Sequence, residues 1–220
     1  MIDISTKKAV IFDLDGLLID SEPSWDRGDK KFLEKHGIGY TKELRTTILG
    51  MGLADGIELF KRECGLQGVT KELMVERRSF FLAEFLKDPR LMDGAKDVVE
   101  TAKRRGFALA IATGGNTVEK VYEILRRLGL DNSFSVVISS DEVEKGKPAP
   151  DVFLLTAKRL EVLPAECIVF EDAPNGVIAA KAAGMFAVGV NREESLKQRL
   201  KEVGADLVLS DLTQALPLFS

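Results

Sequence analysis

The stretch VIFDLDGLLIDSEPSW, residues 10–25, decides how the rest of the chain reads. Its apolar run, Val10-Ile11-Phe12, has the pattern of a buried strand, yet it leads directly into Asp13 and Asp15, with Asp20 and Glu22 close behind. Carboxylates this close repel one another and are costly to take out of water. A bound cation is the plainest way to hold them. Residues i and i+2 of an extended segment point to the same side, so Asp13 and Asp15 can face one reacting centre.

Working outward from this stretch, apolar runs of strand length recur: AVIF (9–12), FALAIA (107–112), SVVIS (135–139), CIVF (167–170) and FAVGV (186–190). Amphipathic segments lie between the later ones. Val118, Val121, Tyr122, Leu125 and Leu128 follow helical spacing, with Asn116 and Glu119 expected as a capping box at the start and Gly129 at the end. Phe153, Ala157 and Leu160 mark a second helix opened by Pro150 and Asp151, and Val177, Ala180 and Ala183 a third that stops near Gly184. Continuous apolar strands alternating with helices predict an α/β fold, a doubly wound, Rossmann-like parallel sheet covered on both faces. Residues 18–87 break the rhythm. They hold no buried strand and read as helices near 22–35, 41–48, 53–63 and 70–87. The expectation is a core of residues 1–17 and 88–220 with a small all-helical insert, 18–87, after the first strand.

Composition narrows the possibilities. The chain has 220 residues, 45% apolar and 30% charged, with a net charge of −4. That is ordinary for a globular protein with a real core. No basic stripe favours nucleic acid or an anionic membrane. The two cysteines, Cys64 and Cys167, lie far apart and read as reduced thiols. MIDISTKK is followed by only a short apolar run, so neither a signal peptide nor a membrane span is expected, and a cytoplasmic monomer is the default.

In open parallel sheets, ligands gather at the carboxyl ends of the strands. Here those ends carry Asp13 and Asp15, then Thr113-Gly114-Gly115-Asn116, then Lys147 within EKGKPAPD, then Glu171-Asp172 within FEDAPNG. With Asp172, the first pair makes an oxygen-rich site suited to Mg2+. Thr113 offers a hydroxyl, the glycines after it let backbone N–H groups approach an anion, and Lys147 adds a compact positive charge. Such parts suit a phosphoryl group, whose transfer is catalysed by positioning and charge neutralisation. An aspartate can attack phosphorus to form an acyl phosphate, while a second carboxylate serves as acid and then base. Each residue also has an ordinary reading: Asp172 as a helix N-cap, Lys147 as a surface cation, Thr113 as a plain strand end. His36, the only histidine, sits at an expected helix C-terminus and has no chemical role in this scheme.

Four segments together, FDLDGLL, ATGGN, KGKPAPDVF and FEDAPNG, resemble the ordered motifs of the haloacid dehalogenase-like phosphohydrolases, and the likeness covers essentially the whole chain. The resemblance implies Asp13 as nucleophile, Asp15 as general acid and base, and Thr113, Gly114 and Lys147 as phosphate ligands. It implies Mg2+ held by Asp13, the Asp15 backbone carbonyl and Asp172, with Glu171 as a ligand or just behind them. It also makes the helical insert the family's cap, a lid that shuts out water above small substrates. Trp25, Gly50 and Asn116 are expected to line the substrate pocket.

Within the family, GLLIDSEPSWD looks most like bacterial 2-deoxyglucose-6-phosphate and hexitol-phosphate phosphatases, and the chain also resembles β-phosphoglucomutases. Two positions depart from the mutase pattern. Trp25 stands where mutases carry a histidine, and Leu53 where, past Gly50, they carry an arginine for the second phosphate of a bisphosphate. Hydrolysis of small sugar or polyol monophosphates is therefore expected, with a mutase as runner-up. A dehalogenase would need neither Asp15 nor a metal, and a non-enzymatic phospho-acceptor module would need no helical insert.

Overall fold

The computed structural model describes residues 4–48 and 51–219. Six parallel strands form one sheet in the order β3-β2-β1-β4-β5-β6: β1 (Ala9–Phe12), β2 (Ala108–Thr113), β3 (Val136–Ser139), β4 (Cys167–Glu171), β5 (Phe186–Val190) and β6 (Leu207–Leu209). The chain builds outward from β1 to β3 on one side, then crosses back and builds from β4 to β6 on the other. The reversal falls between β1 and β4, which pair in register from Ala9 with Cys167 to Phe12 with Phe170. A doubly wound sheet opens its ligand crevice at such a point.

All four β1 residues are fully buried, because side chains on both faces meet cover. Ala9, Ile11, Ala110, Ala112, Cys167 and Val169 share one packed cluster. Phe12 belongs to the other face, stacked on Phe170 and edge-on to Phe134. This alternation is the period of two that a strand imposes. Between the strands run helices α1 (Glu22–Lys35), α2 (Lys42–Ile48), α3 (Leu53–Cys64), α4 (Thr70–Phe85), α5 (Ala95–Arg104), α6 (Val118–Leu128), α7 (Asp151–Arg159), α8 (Pro174–Ala182) and α9 (Glu194–Glu202). Val152, Phe153 and Ala157 of α7 and Val177, Ala179 and Ala180 of α8 pack into the Ile11 cluster.

The strands expected from sequence are present within a residue or so. β6 was not foreseen: three residues, largely half-buried, pairing only with β5. The start of α6 also differs from expectation. Thr117, not Asn116, is its N-cap, with the Thr117 side chain accepting from the Lys120 N–H. The Asn116 amide is turned inward instead. Both cysteines are free, and burial pushes the Cys167 thiol up to about 11. Among the described residues no helix is long and apolar enough to cross a membrane.

The chain divides into two units, Met1–Asp20 with Arg90–Ser220, and Ser21–Pro89. In the first, the segments leaving and re-entering the sheet run side by side: Ile19 bridges Leu91, the Met92 N–H donates to Leu18 O at 2.9 Å, and the Asp20 N–H donates to Arg90 O at 3.1 Å. The second holds α1–α4 around Phe32, Ile57 and Phe60. There α1 and α4 approach closely at Gly28, where a Cβ would lie 2.9 Å from the Phe81 backbone nitrogen. One turn earlier in α4, Arg77 grips Asp29, the residue after Gly28, through two parallel bonds of 2.6 and 2.8 Å. The pair is buried, with side chains 6% and 2% exposed, and the guanidinium lies over the rings of Trp25 and Phe60.

Removing one partner of a buried pair strands a charge. Asp29→Ala is therefore expected to cost about 3–5 kcal/mol in urea unfolding, and Asp29→Leu with Arg77→Met to recover most of it. A loss under about 1 kcal/mol for Asp29→Ala would show the pair to be dispensable.

Candidate active site

Past Phe12 the chain makes a tight turn. The Leu18 and Ile19 N–H groups both donate to Leu14 O at 3.0 Å, and the Gly16 N–H donates to Ile19 O at 3.0 Å. Leu14, Leu17, Leu18 and Ile19 are buried, so packing fixes the turn and leaves Asp13 and Asp15 as its polar side chains. The Asp13 N–H donates to Phe170 O of β4 at 3.0 Å, and its carboxyl group is 90% enclosed.

Lys147 enters from the loop between β3 and α7. Its ammonium donates to Asp13 Oδ1 at 2.6 Å, to the Ala112 carbonyl of β2 at 2.9 Å, and to Glu171 Oε1 at the end of β4. Three donors meet three acceptors from three adjacent strands. Burial would lower the Lys147 pKa, but the carboxylates of Asp13 and Glu171 outweigh it and hold the lysine above its usual range.

The acids outnumber this cation. One carboxylate oxygen each from Asp13, Glu171 and Asp172 lies within 4.8 Å of the others. Burial pushes the Glu171 carboxyl up to about 7, with Lys147 pulling against that and Asp13 adding to it. Burial, then Asp13 and Glu171, raise Asp172 well above the carboxylate range. Two glycines make this crowding sterically feasible. A Cβ on Gly16, whose φ is +80°, would collide with the Asp172 carboxylate, and one on Gly176 with that of Glu171. Three carboxylates, no nitrogen or sulfur ligand, and excess negative charge fit a hard divalent cation.

Thr113 ends β2, fully buried, and its Oγ1 accepts from the Gly115 N–H at 3.3 Å. Nothing in the packing excludes a side chain at Gly114, where the nearest atom to an added Cβ is Ser140 Oγ at 3.7 Å. Asn116, expected in the wall of a substrate pocket, is fully buried and donates through Nδ2 to Asp15 Oδ2 at 2.9 Å. Asp13, Asp15, Thr113, Gly114, Asn116, Lys147, Glu171 and Asp172 thus lie in one unit, at the ends of β1 to β4. Trp25 lies in the helical unit, its ring stacked on Phe81 at 4.1 Å between centroids. Gly50 lies outside the described residues.

Several contributors were not foreseen. Ser139, at the end of β3, donates through Oγ to the Asn116 carbonyl at 2.7 Å. Asn191 Nδ2 donates to Asp172 O at 3.4 Å. Gly16 and Gly176 did have a signal: each follows shortly after an acid pair, in DLDG and EDAPNG.

The sequence model of the haloacid dehalogenase-like hydrolases matches residues 7–184, and the chain belongs to that family. A phosphorylated carbohydrates phosphatase of Thermotoga maritima is 36% identical over 203 residues, 90% of this chain and 92% of that protein. Hexitol phosphatase B of Escherichia coli K12 is 32% identical, covering 94% and 93%. β-Phosphoglucomutase of Bacillus subtilis is also 32% identical, covering 94% and 92%. Among solved structures, CbbY of Rhodobacter sphaeroides in complex with phosphate superposes with a TM-score of 0.81 at 26% identity, covering 94% of this chain and 96% of that one.

The raised acids give a test. Glu171 holds its proton more tightly in the fold, at about 7, than at its ordinary 4.5. Its contribution to stability is complete below the ordinary value and is lost as pH rises through about 7; Asp172 acts in the same direction. Metal-free protein should therefore melt at a lower temperature at about pH 8 than at about pH 5.5. Added Mg2+ should raise Tm more at the higher pH, where the acids are ionised. A Tm flat across this range and indifferent to Mg2+ would contradict the site.

Proposed function

We propose that the protein is a Mg2+-dependent phosphatase of small sugar or polyol monophosphates that works through an aspartyl phosphate on Asp13. The observation that carries this reading is the Asp13 carboxylate, fixed by Lys147 at the β1–β4 reversal beside Glu171 and Asp172. The activities for which the Thermotoga and Escherichia relatives are named support the substrate class.

In the first step an Asp13 carboxylate oxygen attacks phosphorus, the P–O bond to the sugar or polyol breaks, and Asp15 gives its proton to the departing oxygen. In the second step water attacks the aspartyl phosphate, its proton passes to Asp15, and phosphate leaves with the Asp13 carboxylate restored. Thr113 Oγ1 and the N–H groups that follow it hold the non-bridging oxygens. Lys147 keeps Asp13 aligned and offsets the charge gathering there. Asp13, Glu171, Asp172 and the Asp15 carbonyl are the groups that would hold Mg2+, which when bound supplies charge neutralisation to the phosphoryl oxygens.

The Bacillus relative favours a second reading, a sugar phosphomutase. Leu53 counts against it: this residue is apolar and buried at the start of α3, where an arginine would be wanted to grip a second phosphate.

A phosphate-release screen over hexose, hexitol and glycerol phosphates, with NMR of the products, tests both. The expected outcome is release of free phosphate without isomerisation, abolished by EDTA and restored by Mg2+. Asp13→Asn should cut the rate by at least about a thousandfold while Tm stays near wild type. An isomerised phosphoester that appears only with a bisphosphate primer would select the mutase, and near-wild-type hydrolysis by Asp13→Asn would refute the nucleophile.

A further inference from the structure

Asn116 is badly placed for an ordinary structural asparagine. It sits at a strand-to-helix junction, where asparagine commonly caps the helix, yet Thr117 does that work. Its main chain is anchored separately, through the Ser139 hydroxyl on its carbonyl at 2.7 Å. Its amide Nδ2 reaches Asp15 Oδ2 at 2.9 Å. The other end of the amide, Oδ1, is buried with no hydrogen-bond partner among the described residues. A buried acceptor without a donor destabilises a fold, so local structure does not account for this side chain. Among the described residues its one side-chain bond is to Asp15.

We propose that Asn116 is the positioning residue for Asp15, holding one carboxylate oxygen so that the other exchanges the proton with the leaving group and then with water. The inference rests on the proposed hydrolase reading. Asp15 stands on a turn whose neighbours Leu14, Leu17 and Leu18 are all buried, so its backbone is fixed. The bond from Nδ2 restrains the carboxylate at Oδ2, and Ser139 keeps the amide itself in place. Proton transfer is steeply sensitive to such alignment: general acid and base catalysis contributes about 10²–10⁴-fold, and small misplacements forfeit much of it.

This role separates from packing by its dependence on the leaving group. A sugar or polyol alkoxide needs the proton of Asp15 as the P–O bond breaks, whereas p-nitrophenolate leaves without one. Asn116→Leu removes the donor and the unpaired oxygen together. With a hexitol phosphate, its single-turnover rate of ester cleavage should fall about 30- to 100-fold. With p-nitrophenyl phosphate, the burst of p-nitrophenolate should stay within about threefold of wild type, followed by slowed hydrolysis of the aspartyl phosphate. Its Tm should stay near that of wild type, because deletion of the unpaired buried oxygen offsets the bond lost to Asp15 Oδ2. Asn116→Ala should show the same split between substrates should the leucine variant fail to fold. Thr117→Ala should lower Tm and leave the ratio of the two rates unchanged.

Equal losses on both esters, or an unchanged rate on the hexitol phosphate, would overturn the assignment. So would a Thr117→Ala variant that shifts the ratio as far as Asn116→Leu does. Wild-type protein run alongside distinguishes the larger failure: if it releases nothing from p-nitrophenyl phosphate in Mg2+, the hydrolase reading falls and takes this role with it.

Discussion

One ammonium group organises the strand ends. Lys147 Nζ bonds Asp13 from β1, the Ala112 carbonyl from β2 and Glu171 from β4, so a loop that follows β3 ties three neighbouring strands together. Burying a lone lysine would be prohibitive, and burying two adjacent carboxylates would be worse. Each is tolerable because the other is there. The balance is incomplete, since Asp172 remains as a third acid within 4.8 Å of this group. That surplus of negative charge makes the site receptive to a divalent cation, and it adds to the burial that chiefly raises the pKa of Glu171 and Asp172.

The same crowding dictates the glycines. Gly16 turns the chain with φ of +80° while the Asp172 carboxylate occupies the space a side chain would fill, and Gly176 makes the equivalent room for Glu171 at the start of α8. Sterics and electrostatics are coupled here. A side chain at Gly176 would push Glu171 off Lys147, and the lysine would lose one of the two charges that hold it protonated. The acids of DLDG and EDAPNG are therefore inseparable from the glycines beside them.

Much of this arrangement can be read from sequence, for reasons that also explain where reading fails. Central parallel strands are buried on both faces, so AVIF and CIVF appear as unbroken apolar runs, and the acids that interrupt them mark the strand ends. An edge strand lacks that signature. Leu207–Leu209 pairs on one side only and is too short to show a period. Asn116 shows a different limit. Asparagine and threonine are both good N-caps, and ATGGNT places them side by side. Which one caps the helix is decided by Asp15, a residue 101 positions away in sequence. The grip of Lys147 on Glu171 is likewise long-range, as is the stacking of Trp25 on Phe81, so local pattern could nominate those side chains but not their partners.

Several departures from a stability-maximising fold gather in one place. The crowded carboxylates, the left-handed glycine beside Asp172 and the buried unpaired amide oxygen of Asn116 all fall at the carboxyl ends of β1, β2 and β4. A few residues below them, the same strands are fully buried, apolar and in register. Local rules are broken where chemistry requires it and kept where the core must compensate. A rigid sheet is thus more than a platform for the strand ends. Its burial of Val10, Ile11, Phe12, Val169 and Phe170 supplies the surplus free energy that lets like charges be held together, an imbalance that a bound cation would relieve.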